Sequence, residues 1–150
     1  MKNTPYEESL SFLFNRVHML SLALLRRDLQ KKQGDVTPEQ LHLMSRIRER
    51  GGINQKQLGE LTFKDRPNIT RIVRLLKKKG LIETRPDEGN RKANLLFLTA
   101  AGKDIMARCA PVVSNNWDRR YEGLSGEETM ALRKILVHII NNIEEQLGKS

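Results

Sequence analysis

The stretch Arg66–Lys79, RPNITRIVRLLKKK, carries side chains suited to reading a nucleic-acid duplex at helical spacing. An arginine fork can pair bidentately with guanine, an asparagine with adenine, and a threonine methyl can pack against thymine. Projected at about 100° per residue, Arg71, Arg74 and Lys78 fall on one side, with Asn68 and Thr70 flanking them near the N-terminal end. Ile69, Ile72, Val73 and Leu76 follow i, i+3, i+4, i+7 spacing and predict the opposite, buried face. A helix N-terminus is also a favourable seat for phosphate.

The distribution of charge decides between that reading and an ordinary solvated helix face. The 150-residue chain holds 27 Lys+Arg against 18 Asp+Glu, a net charge of +9, which favours a polyanionic partner. Between Lys64 and Lys92 there are ten basic and four acidic residues, so +6 of the excess collects in that segment. From Glu122 to Ser150 three basic residues face five acidic ones, leaving −2. Cations gathered on one segment are the electrostatic footprint of nucleic-acid binding.

Elements able to position this face can be read on either side of it. A long helix is expected from Pro5 to Lys32, with Thr4 as N-cap. It carries a seam of Leu10, Leu13, Val17, Leu20 and Leu24, and a second apolar set of Phe12, Met19, Leu22 and Leu29. A helix apolar on two sides must be covered on both, which suggests a dimerisation helix. Gly34 ends it. Thr37-Pro38-Glu39-Gln40 then combines a cap, a proline at the first helical position and a capping box for a helix to Arg50, where Gly51-Gly52 breaks the pattern. Asn54 can cap a short helix from Gln55 to Leu61, and Asp65 the next, from Arg66 to Lys79. Leu81–Arg85 and Arg91–Leu98, around the turn Pro86–Asn90, predict a hairpin. Thr99 can cap a helix to Tyr121, and Ser125-Gly126-Glu127-Glu128 opens a last one to Leu147 with the stripe Leu132, Ile135, Leu136, Ile139, Ile143 and Leu147.

The order helix, tight turn, helix, hairpin is that of a winged helix-turn-helix. The expected fold is mainly α, an α+β winged helix, with a DNA-binding domain over 36–99 and a helical dimerisation region formed by 1–35 and 100–150. The chain resembles the MarR family of winged-helix regulators. The likeness is carried by Val36-Thr37-Pro38-Glu39-Gln40, Asn54-Gln55-Lys56-Gln57-Leu58-Gly59, Ile69-Thr70-Arg71-Ile72-Val73, Leu76-Lys77-Lys78-Lys79-Gly80-Leu81-Ile82 and Leu98-Thr99-Ala100-Ala101-Gly102. Each fragment alone is weak; the ordered set is specific. The resemblance implies a homodimer whose recognition helices read a palindromic operator through Arg66, Pro67, Asn68, Thr70, Arg71 and Arg74. A wing-tip arginine at Arg91, followed by Lys92, would enter the minor groove. The wing departs from the family's usual Asp-Arg-Arg, having Asn90-Arg91-Lys92, so the ion pair of the usual aspartate is lost. The resemblance further implies a repressor released by a small anionic aromatic or phenolic effector, in a cleft lined by the first, second and fifth helices.

Other features carry less. Cys109, the one cysteine, permits no internal disulfide and reads as a structural helix residue, with a redox-responsive regulator as the alternative trigger. His18, His42 and His138 lie on three helices with no metal-ligand spacing, and no cofactor is expected. Trp117 and Tyr121 read as packing residues of a dimer core. No nucleophile–base arrangement, phosphate loop or dinucleotide fingerprint is present, so an enzyme is not expected. The N-terminus has acidic residues and no uninterrupted apolar stretch, and no run reaches a spanning length, so a cytoplasmic protein without a membrane partner is expected. The rival to DNA binding is a winged helix that docks on an acidic protein surface.

Overall fold

The computed structural model describes residues 9–32, 36–87 and 89–148, without the side chains of residues 32 and 90–93. Its elements are α1 (Leu10–Lys32), α2 (Pro38–Arg50), α3 (Gln55–Thr62), α4 (Arg66–Lys78), β1 (Ile82–Asp87), β2 (Asn90–Leu98), α5 (Ala100–Arg120) and α6 (Gly126–Gln146). This is the mainly helical winged-helix architecture expected. The expected cap and first turn at Thr4 and Pro5, and the stop at Gly34, lie outside the described residues. The observed helix starts later than expected, at Leu10, because Ser9 Oγ accepts from the Phe12 amide at 3.2 Å and caps it there. The chain divides into two compact units, one ending at Asn116 and one beginning at Trp117.

Local chemistry sets the helix boundaries. Thr37 Oγ1 accepts from the Gln40 amide at 3.2 Å while Gln40 Oε1 accepts from the Thr37 amide, the reciprocal box that starts α2. Asn54 and Gln57 do the same for α3. Asp65 Oδ1 accepts from the Asn68 amide at 2.9 Å and starts α4, and Ser125 with Glu128 starts α6. Gly80, at φ 66°, ends α4: its amide donates to Lys77 O and the Leu81 amide to Leu76 O.

The core of the first unit lies between α2, α3, α4 and the hairpin. Leu43, Met44, Ile47, Leu58, Ile69 and Leu76 are buried there together with Leu96 of β2. The strands pair antiparallel from Ile82↔Leu98 to Asp87↔Asn90, with an irregularity between Pro86 and Asp87. The strands therefore run closer to the wing tip than the five-residue polar turn suggests. A contact with no local signature braces the hairpin: Ile53, between α2 and α3, exchanges two backbone hydrogen bonds with Leu96. The loop before α3 is thus tied to β2.

Two tertiary ties hold the long helices, one joining α5 to this core and one joining α5 to α1. Thr99 Oγ1 donates to Gly80 O at 2.7 Å and accepts from the Gly102 amide at 3.0 Å, while the Thr99 amide donates to Leu81 O. The start of α5 is thereby locked to the exit of α4, so tightly that a Cβ at Gly102 would collide with the Leu81 carbonyl oxygen. Deeper in α5, fully buried Asn116 donates to Asp28 of α1 at 2.9 Å.

Candidate nucleic-acid interface

Helix α4 separates its two faces cleanly. Ile69, Ile72, Val73 and Leu76 are each no more than 3% exposed, and burying such side chains contributes roughly 1.5–3 kcal/mol apiece. That packing fixes the rotation of the helix about its axis. Arg66, Pro67, Asn68, Thr70, Arg71, Arg74 and Lys78 are consequently all exposed. Five of them, Arg66, Pro67, Thr70, Arg71 and Arg74, line one open groove of about 420 Å³. Asn68 and Lys78 are exposed on the same helix but do not line that groove.

The electrostatics of this face are one-sided. Among the described residues, no carboxylate forms an ion pair with Arg66, Arg71, Arg74 or Lys78. Exposed cations held together without counter-charge repel one another and favour an arriving polyanion. Lys79 differs from its neighbours, because its ammonium donates to Gln40 Oε1 at 3.3 Å and joins the C-terminus of α4 to the start of α2.

Arg91 and Lys92 fall on β2 near the wing tip, where their side chains lie outside the description. At the root of the wing, Arg85 donates from Nε to Glu83 Oε1 at 2.8 Å and stacks 4.8 Å from the centre of the Phe97 ring. This cation is therefore partly neutralised and engaged with the hairpin itself.

Local reasoning passes over Gln55, which touches the α4 face, and Phe63, in the turn that leads into α4. The Thr70 hydroxyl lies 3.4 Å from Gln55 Oε1 of α3, a contact across fifteen residues. Phe63, in the turn between α3 and α4, has φ 51° and is 72% exposed. A strong α3 capping signal points to Asn54 and Gln57, and nothing in it marks Gln55. Cys109 lies inside α5, buried, and burial pushes its thiol above the ordinary value, which works against thiolate formation. His18, His42 and His138 sit on α1, α2 and α6. Partial burial, with the nearby cations of Arg46 and Lys64, holds the His42 imidazole below its ordinary pKa.

A short helix, a tight turn, a second helix with a cationic outer face, and a paired-strand wing define a winged helix-turn-helix protein. The MarR family model matches residues 36–93, which span α2 through the wing tip. An uncharacterized HTH-type transcriptional regulator of Bacillus subtilis (strain 168), YybA, is 30% identical over 117 residues, covering 78% of each protein. The chain belongs to the MarR family of helix-turn-helix transcriptional regulators. The HTH-type transcriptional repressor NicR of Pseudomonas putida is 25% identical over 146 residues, 96% of this chain and 91% of that protein. A crystal structure of a mutant MarR from Escherichia coli complexed with operator DNA superposes with TM-score 0.81 at 23% identity, covering 91% of this chain and 99% of that one.

Proposed function

We propose that this MarR-family regulator is a homodimeric repressor that reads a palindromic operator with α4. The observation that carries the reading is the outer face of α4, where Arg66, Arg71 and Arg74 surround an open groove without a carboxylate partner among the described residues. Arg71 and Arg74 pair with base edges, Asn68 and Thr70 add adenine and thymine contacts, and Arg66, Pro67 and Lys78 pack on or neutralise the backbone. Arg91, with Lys92, follows the wing into the minor groove, where a narrow channel attracts a cation. The likeness to a repressor and to a chain crystallised on operator DNA supports this assignment.

In a two-fold dimer the two α4 helices meet successive major grooves about one helical turn, ~34 Å, apart. Residues 36–99 form the DNA-binding domain in this reading, while 1–35 and 100–150 supply the dimer contacts. The exposed apolar residues of α6 and the exposed Trp117 and Tyr121 support it. A small effector releases DNA only by binding more tightly to a dimer whose recognition helices are wrongly spaced.

The test is fluorescence-anisotropy binding to duplexes selected from a random pool, repeated across salt concentrations. Wild-type affinity should fall steeply with salt, and Lys78→Ala should lower the slope by about one. Arg71→Ala should cost ~1–3 kcal/mol and relax preference at one base pair per half-site. Unchanged affinity and preference in Arg71→Ala would show that α4 is not the reading element.

A further inference from the structure

The described threonines on α3 and α6 follow a common helical habit, and Thr70 breaks it. Thr62 donates its hydroxyl to Leu58 O at 2.7 Å and Thr129 donates to Ser125 O at 3.0 Å, each folding back four residues. The Thr70 hydroxyl instead reaches outward to Gln55 Oε1 on another helix. A threonine in a helix has essentially two χ1 rotamers, because both substituents on Cβ are heavy atoms. Whatever holds the hydroxyl therefore also fixes the methyl.

We propose that Gln55 is a positioning residue for base recognition, holding Thr70 in the rotamer that offers its methyl to the groove in one orientation. The proposal rests on the reading of α4 as the DNA-binding helix. Gln55 is well placed for the task because the reciprocal Asn54–Gln57 box anchors the first turn of α3 on either side of it. Leu58, fully buried one turn later, fixes the helix against the core, and Ile69, beside Thr70, does the same for α4. The two backbones are thus rigid and only the side-chain contact is adjustable. At 3.4 Å this is a long hydroxyl bond that water can compete with in the unbound protein. Exclusion of water when a duplex fills the groove strengthens it.

The experiment compares wild type, Gln55→Ala, Gln55→Glu and Thr70→Val in selection from randomised duplexes, with binding to a non-specific duplex and thermal unfolding measured in parallel. Gln55→Ala should flatten the preference at one base pair per half-site by about 3- to 10-fold, leaving Tm and non-specific affinity unchanged. Gln55→Glu keeps the acceptor and should keep the preference, while its added negative charge weakens binding to every duplex alike. Gln55→Ala combined with Thr70→Val should lose no more preference than either change alone. A Gln55→Ala protein that retains the wild-type preference, or loses affinity equally for all sequences, would overturn the proposal. Wild-type protein that selects no sequence would instead overturn the DNA reading beneath it, and the role of Gln55 with it.

Discussion

Phe63 shows how a single residue can be held against its own preference. Its φ of 51° lies in the left-handed region, which costs an L-residue roughly 1–2 kcal/mol, and the ring remains 72% exposed. The conformation persists because the turn closes α3, with the Lys64 amide donating to Gly59 O at 3.1 Å, and because Asp65 must follow at once to cap α4. Phe63→Gly removes the steric penalty but adds backbone freedom to the unfolded chain, an opposing cost of roughly 0.5–1 kcal/mol. The expected net effect is stabilisation by about 0.5–1 kcal/mol, visible as a higher urea midpoint at constant m-value. A lower midpoint would mean that the ring's contacts outweigh the strain. The same scale separates the α4 cations. Lys79 is tied to Gln40, whereas Lys78, one position earlier, is exposed without a carboxylate partner among the described residues.

Among the elements, the junction of α4, β1 and α5 determines how firmly α4 is held at its far end. Thr99 contributes its hydroxyl to two hydrogen bonds, one to the carbonyl of Gly80 and one from the amide of Gly102. Thr99→Val keeps the shape and leaves both groups without that partner, at an expected cost of ~1–3 kcal/mol. Thr99→Ser should restore most of the loss. Chemical denaturation of the two variants is the check, and equal stability of Thr99→Val and wild type would dismiss the junction as a source of rigidity. Sequence pattern served this scale well: the α2, α3, α4 and α6 caps and the α4 stripe were legible because each depends on residues three or four apart. The Ile53–Leu96 bridge, the Asn116–Asp28 tie and the Gln55–Thr70 contact were not, because each joins residues from distant parts of the chain. The strands' continuation to Asp87 and from Asn90 also escaped, since Pro86 and the polar turn composition argue locally for a loop.

At the scale of the whole molecule, apolar surface is the dominant unresolved term for a single chain. Helix α6 has no buried residue, and Met130, Ile135, Ile140 and Ile143 are all at least half exposed. On α1, Leu10, Val17 and Leu20 are similarly open. Patches of this kind mark association surfaces. If the second copy of the proposed dimer covers the α6 face, Ile143→Glu should halve the mass measured by light scattering. It should also weaken binding to a palindrome by ~100-fold or more, because linked half-sites add avidity that a single subunit lacks. Binding to an isolated half-site should change little. A wild-type chain that sediments as a monomer at micromolar concentration would remove the dimer from the proposal.

The amino-acid sequence alone determined the order of elements, the caps of α2 to α6, the inward stripe of α4 and the concentration of positive charge around it. Those properties come from neighbours within a helical turn or from simple composition. Tertiary structure decided which exposed side chains share a groove, which lysine is engaged, and that Thr70 answers to Gln55 instead of to its own helix. These depend on the packing of α3, α4 and the hairpin about a common core, and a pattern of residues along one helix holds no information about the distance to a side chain on another.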